Sequence, residues 1–448
     1  MARGAKKETA LTPEEKLAQA LVPEAEQPYR VPENWRWVRL TRGFAECKDS
    51  FRKPINATER SNRIGSIPYY GATGQVGWID DYLTDEELVL LGEDGAPFLD
   101  LLKDKAYLIS GKAWVNNHAH ILKSFFGHIG NLFLLNYLNS FNFSGYVNGT
   151  TRLKLTQSSM DMIPVPCPPL PEQQRIVDRI ESLFAKLDEA KEKAQAVVDG
   201  FEDRKAAILH KAFTGELTER WRIENTVTQD AWKTVALEDV CASIFDGDHL
   251  PPPKSEDGIP FLVISNVNNG FLSYENTRFV PLDYYESLSD TRKPHVGDLL
   301  YTLVGSYGIP IVVDSEKPFC FQRHMALLKL RDIDTYYLWY LLQSHEMYNK
   351  ASAIATGTAQ LTVPIKGLRK MTIVLPSKTE QTEIVRILDS VLSQEQQAKS
   401  AAEQVIGQIN TMKKAILARA FRGELGTNDP MEESVERLLK QILFKGVR

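Results

Sequence analysis

EQQRIVDRIESLFAKLDEA, Glu172 to Ala190, and EQTEIVRILDSVLSQEQQA, Glu380 to Ala398, are one stretch written twice. Glu172-Gln173 recurs as Glu380-Gln381 and Ile176-Val177 as Ile384-Val385, 208 positions on. The same offset carries Ile208-Leu209 onto Ile416-Leu417, Ala212-Phe213 onto Ala420-Phe421, and Gly215-Glu216-Leu217 onto Gly423-Glu424-Leu425. Backwards, it joins Pro168 to Pro376 and Gly149-Thr150 to Gly357-Thr358. An ungapped match of this extent is a duplication and not an effect of composition. Farther upstream the match returns at another offset: Trp35, Val38 and Leu40 face Trp232, Val235 and Leu237, 197 positions on. The stretch between the anchors is therefore 11 residues longer in the second half, and it shows no convincing similarity. Two similar frames enclose two different contents, which suggests recognition of two unlike targets.

The repeated segments read as long helices. Apolar residues run Ile176, Ile180, Leu183, Leu187, Ala190, Ala194, Val197, Phe201 and Ile208, alternating steps of four and three, the signature of a seam between packed helices. The second copy gives Ile384, Leu388, Val391, an interruption at Glu395, then Ala398, Ala402, Val405, Ile409, Met412 and Ile416. Pro171 suits a first turn, and Gly215 and Gly423 sit where left-handed caps would end the helices. Interior Gly200 and Gly407 each weaken the helix by about 1 kcal/mol. About 40 residues make a rod of about 60 Å. With a globular domain between the copies, antiparallel pairing is the simplest closure, and the pair serves as a spacer between two surfaces.

The contents read as loop-rich α/β material. The first carries apolar strands at Leu88–Leu91 and Ala106–Ile109 and the polar cluster Asn116-Asn117-His118-Ala119-His120. The second carries Ile244 to Gly270, Val296 to Gly308 and Phe319 to Leu330. Both share a rhythm of polar loop, strand ending in glycine, and a His-bearing strand, with His120 set against His324. Asp246-Gly-Asp-His249 could suggest a metal site, but a DG turn is the simpler reading. His118 and His120 alternate along a strand and make a poor metal pair; no metal site is expected.

Composition bounds the rest. The 448 residues suffice for two to four domains, and 43% hydrophobic with 25% charged residues is ordinary for a globular protein. The N-terminus lacks a secretory apolar stretch and no run approaches a membrane span, which predicts a cytoplasmic protein with no membrane partner. Cys47, Cys167, Cys241 and Cys320 lie far apart and read as reduced thiols. A net charge of −5 does not favour a nucleic-acid binder unless basic groups cluster. They do between Arg36 and Arg63, where Arg36, Arg39, Arg42, Lys48, Arg52, Lys53, Arg60 and Arg63 outnumber Glu46, Asp49 and Glu59. A phosphate-binding loop, an Asn-Pro-Pro-aromatic tetrapeptide, a dinucleotide-binding turn, a nucleophile elbow and an HExxH helix are all lacking. Asp203-Arg204-Lys205 has a nuclease-like spacing but falls within the helix. The chain reads as a binder without chemistry of its own.

PVPCPPLPEQQRIVDRIESLFAKLDEA, Pro164 to Ala190, and KAAILHKAFTGELTERWR, Lys205 to Arg222, resemble the central conserved region of type I restriction–modification specificity subunits. Glu380 to Leu425 resembles their distal conserved region, and the two contents resemble target-recognition domains; the resemblance covers about Trp35 to Leu425. It implies a non-catalytic subunit reading an asymmetric bipartite site on double-stranded DNA, one half per domain. Two modification (methyltransferase) subunits would bind its helices, bring S-adenosylmethionine and methylate an adenine in each half. Motor–nuclease restriction subunits using ATP and Mg would cut unmodified DNA. No cofactor is expected on this chain itself.

The expected fold is mixed α/β (α+β): two target-recognition domains separated by two long helices in an antiparallel coiled coil, with a pseudo-twofold internal repeat. The expected boundaries are an arm at 1–30, recognition domains at 31–168 and 223–376, helical spacers at 169–222 and 377–426, and an amphipathic C-terminal helix at 427–448. That helix, with Val435, Leu438, Leu439, Ile442 and Leu443, could dock on a partner or on this chain. Residue type and loop placement select Arg52, Lys53, Tyr70, Thr73, Gln75, Asn117 and Arg152 as DNA contacts in the first domain. In the second they select His249, Asn266, Asn268, Ser306, Tyr307 and Gln360. Two rivals stand beside this reading: an assembly protein with no DNA role, and a self-sufficient modification enzyme.

Overall fold

The computed structural model describes residues 12–445 except 250, 268–269 and 359. The chain divides inside its long helices, one unit holding residues 1–194 and 404–448 and the other 195–403.

The first unit contains strands β1 (Arg36–Arg39), β2 (Ala45–Cys47), β3 (Ile67–Gly71), β4 (Gly74–Ile79), β5 (Thr84–Asp85), β6 (Leu88–Gly92), β7 (Ala106–Ile109), β8 (Lys112–Val115), β9 (Ala119–Ser124) and β10 (Pro164–Cys167). They form a β1–β10 ladder and two four-stranded sheets, ordered β2-β9-β6-β7 and β4-β3-β8-β5, with β3 and β8 parallel. The all-apolar run of β6 is buried throughout, as a central strand between two neighbours requires. The helix Gly127–Ser140 covers this sheet, and Phe133 and Tyr137 from it meet Phe421 edge-on at 5.2 and 5.1 Å.

The second unit contains β11 (Lys233–Ala236), β12 (Cys241–Asp246), β13 (Ile259–Leu262), β14 (Arg278–Val280), β15 (Leu299–Thr302), β16 (Pro310–Val312), β17 (Cys320–Phe321), β18 (Met325–Leu330) and β19 (Thr372–Leu375). Here the orders are β11-β19, β12-β18-β15-β16 and β14-β13-β17, with β13 and β17 parallel. Strand for strand this is the first unit again, without a counterpart of β5. Contents with no convincing sequence similarity therefore share one topology. The two offsets meet in the two-stranded ladders: Arg36 faces Cys167, and Lys233, 197 positions on from Arg36, faces Leu375, 208 on from Cys167.

The helices follow the repeat with one difference. Leu170–Asp199 and Phe201–Phe213 are separated at Gly200, whereas Lys378–Phe421 runs unbroken through Gly407. Of the two glycines expected to weaken the rod, only the first interrupts it. Gly215 and Gly423 adopt the expected left-handed conformation, at φ +87° and +74°. Within the first unit the helical segments run antiparallel, with Ile176, Val177 and Ile180 in one core with Leu417 and Phe421, and Asp188 paired to Lys413 at 2.6 Å. Within the second, Leu209 shares a core with Ile384 and Leu388, and Arg204 pairs with Glu395 at 2.7 Å. That pair explains the interruption of the apolar pattern at Glu395, and it places Arg204 of the nuclease-like triplet in a helix–helix contact. Val405 and Met412, expected in the seam, are 43% and 46% exposed.

A buried carboxylate anchors each frame. Glu380 accepts from Arg222 at 2.7 Å, Thr218 at 2.8 Å and the Trp232 indole at 2.9 Å. Glu172 accepts from Arg175 at 2.7 Å and Thr427 at 2.8 Å, and Arg175 also pairs with Glu432. The neighbouring amides, Gln173 and Gln381, each donate to the carbonyl five residues back, Pro168 and Pro376. The C-terminal helix, Glu436–Lys445, settles the open alternative by docking on its own unit: Val435 and Leu439 are buried, and Arg36 pairs with Glu436. The arm is helical at Pro13–Ala20, capped by Thr12 and packed through Leu17; its residues 1–11 lie outside the described part. The four thiols are free; burial pushes Cys320 up to about 12 and Cys241 to about 12. Among the described residues no helix is long and apolar enough to cross a membrane.

Candidate nucleic-acid interface

In each unit three loops are laced together by the same backbone bonds. In the first, Glu93 donates to the His118 carbonyl at 2.8 Å, Leu155 to Glu93 at 2.7 Å and Gly95 to Leu153 at 3.1 Å. In the second, Leu303 donates to His324 at 2.8 Å, Val363 to Leu303 at 2.8 Å and Gly305 to Leu361 at 3.1 Å. These bonds fix the loops without using any side chain, so side chains can differ while the platform stays. They also correct the pairing of histidines: His324 matches His118, which precedes β9, and not His120, which lies within it.

On the first platform Arg152 projects with its side chain 61% exposed, and its guanidinium donates to Asp94 at 2.5 Å. The His118 ring meets the same Asp94 oxygen at 2.8 Å. Asn117 is exposed beside His118, and both line a hollow of about 400 Å³ with Asn56, Arg60 and Tyr69. Thr73 and Gln75 are exposed at the β3–β4 turn; the Gln75 side chain donates to the Gly77 carbonyl at 3.1 Å. Tyr70 is half-buried against Tyr107, whose hydroxyl donates to the Gly71 carbonyl at 2.5 Å. Lys53 is exposed, its ammonium 5.8 Å above the Trp114 ring.

Arg52 is placed otherwise. Its guanidinium bonds Glu93 and Asp49, and Asp49 in turn meets the buried His120 ring at 2.6 Å. Burial raises the Asp49 carboxyl, but hydrogen bonding and charge from His120, the Ile121 amide and Arg52 together pull it below its ordinary value. Glu93 is likewise pulled down against its burial, by Arg52 and Lys154. Asp49, Glu93 and His120 bring ligand-type atoms within 4.8 Å of one another, yet the Arg52 cation already supplies the charge a metal would. The basic stretch 36–63 disperses in the same way. Arg36, Arg39, Lys48, Arg52 and Arg63 pair with carboxylates, Arg60 lies over Tyr69, and Arg42 and Lys53 are exposed without an ion pair among the described residues. A local surplus in sequence is thus not one cationic face.

On the second platform a hollow of about 390 Å³ is lined by Asp246, His249, Arg323, His324, Gln360 and Thr362. His249 bonds Asp246 at 2.7 Å, as a turn within the DGDH stretch allows. Gln360 and Ser306 are exposed. Burial, then the Arg323 charge, lowers the His324 pKa, favouring a neutral ring. Asn266 and Tyr307 are turned inward. Asn266 is buried, accepting from Val263 at 3.0 Å and donating to Glu275 at 3.1 Å. Tyr307 is buried, bonds Ser352 at 3.0 Å and stacks on Tyr348 at 5.6 Å. Asn268 lies outside the described residues. Residue type set Arg52, Asn266 and Tyr307 at the interface; their polar atoms are instead committed inside the fold. Sequence reasoning passed over Asp94 and Arg323, and counted Arg60 only within the basic stretch. Asp94 carried a signal, an acid between Gly92 and Gly95 after an apolar strand.

The family model described as type I restriction modification DNA specificity domain matches residues 32–198 and again 229–404. The chain is similar to the type I restriction enzyme EcoKI specificity subunit of Escherichia coli K12, 27% identical over 277 residues, covering 60% of this chain and 59% of that relative. The HsdS subunit from Thermoanaerobacter tengcongensis superposes with a TM-score of 0.59 at 20% identity, over 90% of this chain and all of that one. A chain from the type I R-M system described for its complex assembly and conformational transition gives 0.62 at 20% identity, over 89% and 100%. Such distant likenesses speak for the fold.

Proposed function

Because the chain belongs to the type I restriction–modification DNA specificity family, we propose that it reads an asymmetric bipartite site on double-stranded DNA and directs adenine methylation and restriction by partner subunits. The observation that carries this is the duplicated platform bearing different exposed side chains, Arg152 and Asn117 on one and Gln360 and Arg323 on the other, beside a half-buried histidine in each. A specificity subunit is a DNA-recognition component without catalysis. On this reading 31–168 and 223–376 are recognition domains, and the helices at 169–222 and 377–426 are an antiparallel coiled-coil spacer with pseudo-twofold symmetry. Two modification subunits on that spacer supply S-adenosylmethionine; restriction subunits supply ATP- and Mg-dependent cleavage; all act in the cytoplasm.

Thr73, Gln75, Asn117, Arg152, His249, Ser306 and Gln360 are the base-edge candidates, with Tyr70 and Lys53 at the margin. Arg52, Asn266 and Tyr307 act from beneath by holding loops. The test is methylation sequencing of DNA from cells expressing the chain with a modification subunit, against the chain deleted. Methyladenine in one two-part motif only when the chain is present is the expected result. Unchanged methylation, with the partner present and folded, refutes it.

A further inference from the structure

The two platforms can be compared atom by atom, and one position stands out. Arg152 and Gln360 lie 208 residues apart on the same returning loop, closed by Asn148 against Lys154 in one unit and Thr356 against Thr362 in the other. Each lies over a glycine in the left-handed region, Gly95 at φ +71° and Gly305 at φ +73°. A Cβ on Gly95 would stand 3.3 Å from Arg152 Nε, and one on Gly305 would stand 3.0 Å from Gln360 Nε2. The glycine thus lets the side chain lie flat across the loop, Arg152 reaching His118 at 3.5 Å and Gln360 lining one hollow with His324. We propose that residues 152 and 360 are equivalent base-reading positions of the two domains, Arg152 reading guanine and Gln360 reading adenine, with Asp94 the positioning residue for Arg152.

Electrostatics favours a base edge over a phosphate. Phosphate attraction is strongest to a cation free of a counter-charge. The Arg152 charge is offset by Asp94 at 2.5 Å, and Gln360 has none. What both retain is a planar group with directed donors, clamped by Asp94 in the case of Arg152. Clamping one edge of a guanidinium leaves its other N–H groups for the O6 and N7 of guanine, and a carboxamide matches N6 and N7 of adenine. The position of Asp94 is taken by Val304 in the second platform, where the neutral reader needs no counter-charge: Asp94 bridges Lys154 as Val304 bridges Thr362.

This rests on the proposed DNA-reading function, and the experiment separates the two. The complex of this chain with its modification subunit is given a duplex library randomised over both half-sites, and methylated products are sequenced. Arg152→Gln should move preference from guanine toward adenine at a single position of one half-site, by about ten- to a hundredfold, with the other half unchanged. Gln360→Arg should make the reciprocal change in the other half. Asp94→Asn should blunt discrimination at the Arg152 position alone, which a merely structural role would not do. A wild-type motif that survives both swaps, or a uniform loss across all sequences, overturns this inference and leaves the DNA-reading function standing. No motif from the wild-type complex overturns both. Both swapped side chains are exposed, so the melting temperature should hold and a changed motif cannot be charged to unfolding.

Discussion

Replacing Glu380 by alanine should cost far more than the same change at Glu172, although the two residues occupy one position of the repeat. Glu380 and Arg222 are 1% and 7% exposed at their side chains, and Glu380 also accepts from Thr218 and the Trp232 indole. Its removal leaves a guanidinium buried with only the Gly215 carbonyl and the Thr218 hydroxyl, and it leaves an indole N–H without an acceptor. Breaking such a buried pair costs about 3–5 kcal/mol. At Glu172 the partner Arg175 is 38% exposed and keeps Glu432 at 2.8 Å and the Thr427 carbonyl at 2.8 Å, so the loss is one of hydrogen bonds, about 1–2 kcal/mol. For units of this size each kcal/mol moves the melting temperature by about 2–4 °C. Calorimetry of the full chain should therefore show a fall of roughly 10 °C for Glu380→Ala and only a few degrees for Glu172→Ala. Equal falls would refute the reasoning, because they would mean that the fate of the abandoned cation does not set the cost.

Gly407→Ala should stabilise the chain by about 0.5–1 kcal/mol, since an added Cβ meets nothing within 4 Å in an unbroken helix; a urea midpoint that does not rise contradicts it. Gly423→Ala should destabilise in the same assay, by about 1 kcal/mol or more, because φ is +74° and the Cβ would lie 2.5 Å from Pro32. The lowered carboxyls of Asp49 and Glu93 make a stability contribution that is present above their ordinary values and lost as pH falls through the folded ones. Melting temperature should accordingly drop below about pH 4, and Asp49→Asn should lower the plateau and make that acid drop shallower. Arg323, exposed and without an ion pair among the described residues, should hold a phosphate; Arg323→Ala should weaken binding evenly across sequences and reduce the salt slope by about one, measured by fluorescence anisotropy.

The frame was legible because it is written in buried, chemically constrained residues. Glu172 and Glu380, Gln173 and Gln381, Phe213 and Phe421 each fill one role, and a duplicated role keeps its residue type. The shared topology of the contents was not legible, because a pleated sheet accepts any apolar set of the right period: LVLLG in β6 and LLYT in β15 satisfy the same place. The heptad pattern overstated the seam at Val405 and Met412, since period alone cannot tell where facing helices stop touching. The interface was legible only in part. Residue type does not report burial, so Arg52 looks like Arg152 in the sequence although one is sealed among carboxylates and the other is exposed. The same blindness makes eight nearby cations look like a patch when most are paired within the fold.

The division between frame and platform explains how one architecture can carry two recognition surfaces without two stability problems. The loops that hold Arg152 and Gln360 are tied by main-chain bonds of matching length, and left-handed glycines keep space for whatever side chain crosses them. An exposed side chain there changes stability by little, usually within about 0.5 kcal/mol. The buried acids of the frame and the Asp49–Arg52–Glu93 network have no such freedom, since each loss strands a charge. Substitution is therefore cheapest at the positions that face outward from the platform, Arg152 and Gln360 among them. If the proposed function holds, an asymmetric target needs no asymmetric scaffold. It needs one fold used twice, with a clamped cation on the first copy and a neutral carboxamide on the second.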